Sequence, residues 1–307
     1  MTRQNKTITP SQLAFLSFAY VFSGLALHGV KSVLVIVLCV MCTSAAVALG
    51  LIIGHGEGIS AALGEMFPLG KTTAATLLAV SCIFPLIFDA ARFVGFSSEV
   101  YSGTFPPAVF FAVLAISSLL LAPRPALTGK VAEAFSLLAV SLPIFSLFGH
   151  FSPGLSLAKS VDGFEALGSF TVPLALACRC EMTSPRSRPD PLRSAAVSSL
   201  GALAGGGIYA VCEMFSFPHG NIAEILAVWT FATVRAASAA FAAGELFRCG
   251  AVAAAVFSAF AAPAIVLYAK MPLPNVTDAA IMINIFFFVL FFCFSLPQII
   301  HREKVLQ

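Results

Sequence analysis

Charge is the scarcest commodity in this 307-residue chain: Asp, Glu, Lys and Arg together make up 10% of it. A soluble domain carries about a quarter, so a water-exposed globular fold is excluded. Basic patches are missing too. The net charge is +3, and its positive residues are spread singly through short polar stretches, so no nucleic-acid partner is expected. Tryptophan occurs once and tyrosine four times.

Enzyme signatures are equally absent. The chain has no HExxH, no paired acids in a DxxD arrangement, no G-x-S-x-G and no Walker loop. "GKTT" begins at Gly70, but Gly64 lies six residues upstream where a phosphate-binding loop needs five, so the match fails. No enzymatic activity, cofactor or metal is expected. The eight cysteines include Cys39 and Cys42 in C-x-x-C spacing. That pair sits mid-segment without a second pair or a neighbouring histidine, and reads as two small apolar side chains.

What is present is grease. Apolar residues are 59% of the chain, with 30 Phe, and the mean hydropathy is +0.97. Lipid-surrounded helices are apolar on most faces, which is this composition. Segments of roughly 20 apolar residues, the length that crosses the hydrocarbon core, predict ten spans. They lie near 12–29, 32–54, 72–95, 105–122, 131–150, 163–179, 194–214, 222–244, 249–269 and 279–299. The N-terminal lead is polar and lacks a small-x-small cleavage site, so no cleaved signal peptide is expected.

The charges test that count. With ten spans, one side holds Arg3, Lys6, Lys71, Arg124, Lys130, Arg179, Arg186, Arg188, Arg193, Arg248, Arg302 and Lys304, against Lys31, Lys159 and Lys270 on the other. A missed span would scramble this asymmetry, which the positive-inside rule assigns to the cytoplasm. Residues 1–307 are therefore expected to form a single polytopic membrane domain. Its cytoplasmic parts would be the 1–11 tail, the 181–193 loop and the 300–307 tail.

Arg92 and Arg235 remain, inside spans three and eight. Ionisable groups in a bilayer cost a few kcal/mol each and face a bundle interior or a watery cavity. Asp89 and Arg92, at i and i+3, share a helix face. Two readings stand: a self-neutralising pair near the interface, or a ligand contact or gate. Arg235 has no acid within a turn and needs a partner from another helix, with Asp89, Glu213 and Glu224 as options. Gly24 in span one and Gly168 in span six either permit close helix packing or mark breaks whose bare N–H and C=O groups hold a ligand. Glu165 opens span six.

Several segments together resemble a known family, the B-subunit type of endospore germinant receptors, within the amino acid/polyamine/organocation permease superfamily. "ITPSQLAFLSFAYVFSG" is similar to its polar lead into span one, and "GISAALGEMFPLGKTTAATLL" to its amphipathic stretch between spans two and three. "DAARFVGFSSEVYSGTFPPAVF" resembles the end of its third span, and "GKVAEAFSLLAVSLPIFSLF" its fifth. "MPLPNVTDAAIMINIFFF" and "LPQIIHREK" resemble its last span and basic tail. The order is collinear over most of the chain.

The resemblance implies an all-α integral membrane fold of about ten transmembrane helices, an inverted-repeat permease-like bundle with broken helices one and six. It implies a receptor subunit in the spore inner membrane, with both termini cytoplasmic, that senses a small nutrient such as an amino acid. It also implies contact with membrane lipids, a partner membrane subunit and a lipoprotein subunit. The alternative on the same fold is a proton- or ion-coupled amino acid transporter, with the proton carried by Asp89 or Glu165. Carried onto this chain, the ligand pocket would use Ser23, Gly24, Phe164, Glu165, Gly168, Ser169, Trp229 and Arg235. Asp89 and Arg92 would line or gate it.

Overall fold

The structure is a computed structural model. It describes residues 7–54, 56–101, 104–146, 164–181, 191–214 and 222–247, together with short pieces between 282 and 293. The predicted ninth span, 249–269, most of the 181–193 loop and the 300–307 tail lie outside the described residues.

Helix α1, Pro10–His28, starts where its sequence says it should. Thr9 accepts a hydrogen bond from the Gln12 amide at 3.3 Å, and Gln12 Oε1 accepts one from the Thr9 amide at 3.0 Å. This reciprocal capping box satisfies two of the first-turn donors, and Pro10 at the first helical position loses nothing by lacking an N–H. Gly29, left-handed at φ 56°, ends the helix by donating back to Ala26 and Leu25.

Then come α2 (Val33–Gly54), a short α3 (Ile59–Met66), α4 (Lys71–Val100), α5 (Pro107–Leu121) and α6 (Pro125–Ser146). Span six follows as a 3₁₀ turn, Phe164–Leu167, and a separate helix α7, Thr171–Cys178. Helices α8 (Pro191–Met214) and α9 (Ile222–Phe247) complete the described core. Eight predicted spans thus appear in order, and the tenth is helical where it is described. Among the described residues, six helices are long and apolar enough to cross a membrane, and α5 and the stretch through α7 are shorter apolar ones. At 30 residues α4 outruns its predicted 72–95; about 45 Å of helix exceeds the hydrocarbon thickness, so its end stands beyond it.

The architecture is the permease-like helical bundle expected, with one correction. Span six is broken, but α1 is one uninterrupted helix through Ser23 and Gly24. The cause is local. The Ser23 hydroxyl donates back to the Ala19 carbonyl at 2.7 Å, inside the helix, and no α1 turn is opened. In span six, by contrast, Gly168 takes φ 60°, a left-handed conformation that stops the 3₁₀ turn and lets α7 restart.

Helices α1 and α9 are the inner members. Phe18 through Leu25 are buried without interruption, as are Val234 through Gly244. Outer helices show apolar rows instead: Leu34, Val37 and Met41 on α2, Leu200 and Leu203 on α8, Ile116 and Leu120 on α5. Such rows face hydrocarbon. Between α1 and α8, contact is nearly backbone to backbone. A Cβ added at Gly205 would stand 2.6 Å from the Phe18 carbonyl oxygen, whereas at Gly207 it would meet nothing within 4 Å.

One end of the bundle is closed by groups far apart in sequence. Ile8 forms a parallel bridge with Cys180, through Ile8 N–H to Arg179 C=O at 3.2 Å and Glu181 N–H to Ile8 C=O at 2.9 Å. Arg179 donates to Glu245 Oε2 from Nε at 3.1 Å and from Nη2 at 2.5 Å. The Gly58 amide donates to the Cys178 carbonyl at 3.2 Å. The start of α1, the end of α2, the end of α7 and the end of α9 therefore meet at one end, as an alternating topology requires.

Gly205→Ala is expected to destabilise the protein by about 1–3 kcal/mol, because neither backbone can give way. Gly207→Ala is expected to be neutral or stabilising by up to about 1 kcal/mol, through helix propensity. Thermal unfolding of the detergent-purified variants, side by side, checks the contrast.

Candidate functional site

The centre of the bundle is built around a guanidinium. Arg235 lies mid-way along α9 in a run of alanines, and its side chain is 1% exposed. An unpaired charge there would be prohibitively costly, and each of its three nitrogens has an acceptor. Nε donates to Asp89 Oδ2 on α4 at 2.7 Å. Nη1 donates to the Tyr20 carbonyl of α1 at 2.8 Å, and Nη2 to the Ala166 carbonyl of the 3₁₀ turn at 3.1 Å. The Tyr20 ring covers the guanidinium, with Cζ 4.3 Å from its centroid, a cation–π contact of about 0.5–2 kcal/mol.

Two glycines make the room. A Cβ at Gly24 or at Gly168 would run into the Arg235 guanidinium. Tyr20 also fastens the break: its hydroxyl donates to the Ser169 carbonyl at 2.8 Å and accepts from the Ser169 amide at 2.9 Å. The segment that leaves helical geometry thus has its main-chain groups bonded to side chains of α1 and α9, which is the condition for irregular backbone at membrane depth.

Asp89 carries a second partner. Its Oδ1 is 3.1 Å from Nε2 of His28, the last residue of α1, whose ring is 1% exposed. The other ring nitrogen, Nδ1, lies 3.5 Å from Glu165 Oε2. Glu165 in turn is 3.8 Å from Arg92 Nη2, and both reach solvent, with side chains 39% and 59% exposed. A chain of charge runs from Arg235 through Asp89, His28 and Glu165 to Arg92 at the end of the bundle opposite Ile8.

Of the residues singled out in the sequence, Gly24, Asp89, Glu165, Gly168, Ser169 and Arg235 converge on this cluster. Asp89 is the partner that Arg235 needed. The pairing of Asp89 with Arg92 does not form; the i, i+3 neighbour points outward to Glu165 instead. Ser23 bonds within its own helix. Phe164 opens the 3₁₀ turn. Trp229, six residues before Arg235 on α9, belongs to an aromatic cluster with Phe93, Phe110 and Tyr101 at centroid distances of 5.4, 5.9 and 6.0 Å.

Tyr20 and His28 were missed. The signal was there, because Tyr20, Gly24 and His28 recur every fourth residue and so share one face of α1. Ser169 also meets α4 through its hydroxyl, 3.7 Å from Cys82 Sγ, and Thr171 lies 3.4 Å from Ser81, oxygen to oxygen.

No family model matches the chain, and no curated protein matches it. Among solved structures it is similar to Mhp1, a nucleobase-cation-symport-1 family transporter in a closed conformation with bromovinylhydantoin bound. The TM-score is 0.56 at 14% identity, covering 91% of this chain and 75% of that one. The likeness is one of fold.

Arg235→Ala is expected to cost about 3–5 kcal/mol, because it strands Asp89 in the core. Arg92→Ala is expected to cost less than about 1 kcal/mol, since its pair is solvated. Pairing Arg235→Ala with Asp89→Ala should recover part of the loss. Unfolding midpoints of the three variants check the order, and equal tolerance of Arg235→Ala and Arg92→Ala contradicts it.

Proposed function

We propose that this chain is a sensor subunit of permease fold, which binds a small nutrient, an amino acid, between α1, the broken span six, α4 and α9. It reports that binding to partner subunits of a spore germinant receptor, a membrane subunit and a lipoprotein. In this reading it resides in the spore inner membrane with both termini cytoplasmic. The observation that carries the proposal is the Arg235–Asp89 pair, which ties together all four elements that a ligand would separate. An amino acid offers a carboxylate for a guanidinium and an ammonium for a carboxylate, so it can exchange with internal contacts of the same chemistry. A ligand that does so shifts the balance between two arrangements of the bundle, which is all a sensor needs.

Transport by the same fold is the second reading. Its support is the fold likeness to a symporter. The two readings part on flux. Purified protein with an amino acid at about a hundredfold its Kd should gain about 2.7 kcal/mol in unfolding free energy, and proteoliposomes should show no concentrative uptake. Concentrative uptake of a labelled amino acid overturns the sensor reading in favour of transport. If no amino acid in a full panel stabilises the protein, alone or with its partners, ligand sensing itself fails.

A further inference from the structure

The charge chain contains one group whose surroundings are chemically incomplete as neutral protein. His28 presents both ring nitrogens to carboxylates from different elements: Nε2 to Asp89 Oδ1 of α4 at 3.1 Å, and Nδ1 to Glu165 Oε2 of the span-six turn at 3.5 Å. Nδ1 is buried and makes no hydrogen bond in this geometry. A neutral imidazole has one N–H and one lone pair. Whichever tautomer it adopts, a lone pair then faces a carboxylate oxygen, and two negative surfaces meet in a buried place. Only the imidazolium has a donor for each. His28 also closes α1, where the helix dipole favours a cation.

Opposing terms surround the ring as well. Arg235 faces the site from α9 on the far side of Asp89 and already neutralises that carboxylate. Arg92 of α4 stands by Glu165. Tyr20 lies two turns back on α1. From α8, Tyr209 donates to the Val30 carbonyl at 2.9 Å, two residues past His28, with Glu213 beside it. With His28 neutral, two arginines balance two carboxylates; one proton leaves the cluster with a single extra charge. Two carboxylates draw that proton in, while burial and two guanidinium groups resist it. Glu165, partly exposed, joins the buried ring to water.

We propose that His28 is a proton-binding site, and that a proton arriving by way of Glu165 bridges Asp89 and Glu165 through the imidazolium. The bridge clasps the span-six turn to α4. Its loss frees the turn at the end remote from Arg235. The step is a simple proton uptake, imidazole plus H⁺ giving imidazolium, with no other bond changed. It makes the proton the ion to which this bundle responds, and it moves that role from the carboxylates to the histidine between them. The proposal deepens the sensor reading and rests on it for its purpose, but its test does not need a nutrient.

The experiment is nitrogen NMR of ¹⁵N-histidine-labelled protein in lipid nanodiscs, titrated from pH 5 to pH 8. The chain has five histidines, and His28 is assigned from the signal lost in His28→Gln. If that variant does not fold, the four other histidines are replaced together, so that His28 alone is observed. The expected result is a His28 ring with both nitrogens protonated at the acid end, converting to a single tautomer as pH rises. In Glu165→Gln the doubly protonated fraction relative to the neutral one should fall about tenfold at a given pH, since one facing carboxylate is gone. A His28 that keeps one bare nitrogen throughout the titration overturns the proposal, as does one indifferent to Glu165→Gln. Neither result touches nutrient binding, and a failed nutrient panel leaves a titrating His28 in place.

Discussion

Everything at the centre of this bundle follows from one buried guanidinium. Arg235 cannot sit among alanines in a membrane core without acceptors, and a helical bundle offers few, because each carbonyl is already spent on its own ladder. One acceptor is Asp89, which shares the problem of being a buried charge. Another is the Tyr20 carbonyl, which Arg235 reaches because Gly24 leaves the face of α1 bare at that turn. The third, the carbonyl of Ala166, is free because span six stops being helical there. The break and the arginine therefore require each other. Without the break Arg235 lacks an acceptor, and without Arg235 and Tyr20 the broken backbone would be unsatisfied.

This mutual satisfaction changes what the glycines and the turn mean. In a permease pocket, bare main-chain groups at such a break hold the ligand. Here they hold a side chain. Charge-assisted hydrogen bonds of this kind contribute about 1.5–3 kcal/mol each, so a ligand reaching the centre must replace contacts of comparable strength, and much of its binding energy goes into rearrangement. That fits the sensor role proposed above, whose output is a change of shape. A ligand that displaces strong internal contacts distinguishes sharply between the state that keeps them and the state that has lost them.

The sequence showed the helices well and the centre in part. Long apolar runs and the alternation of basic loops locate eight described spans to within a few residues, because in lipid the backbone has no alternative to helix. Arg235 announced itself by isolation: a charge with no acid within a turn must have a partner elsewhere. Asp89 stood open, since local spacing offers it Arg92 while Arg235 also needed an acid, and only the packing of α4 against α9 shows that Asp89 turns inward while Arg92 turns out. His28, near the end of the predicted span 12–29, was not singled out, because its role depends on two carboxylates distant in sequence. The continuity of α1 was illegible for a related reason. A glycine in a transmembrane helix serves a break and a close contact equally well, and the neighbour that decides between them, the guanidinium of Arg235, belongs to another helix.

The same elements are clasped twice. At the centre, Arg235 and Tyr20 hold the residues just before α7; at the closed end, Arg179 just after α7 pairs with Glu245, while Ile8 bonds across Arg179 and Glu181. Arg235 and Glu245 are ten residues apart on α9, about 15 Å along its axis. Helix α7 is only eight residues long, about 12 Å, and spans the gap between the two clasps like a rung. A short helix held at both ends cannot tilt at one end without straining the hold at the other. Movement of Gly168 and Ser169 away from Arg235 must either pull on the Arg179–Glu245 pair or be refused by it. A ligand acting at the centre, as proposed, would thereby be tied to the end of the bundle where α1, α2, α7 and α9 meet, through one small helix, the Arg235 and Tyr20 hydrogen bonds before it and the Arg179–Glu245 pair after it.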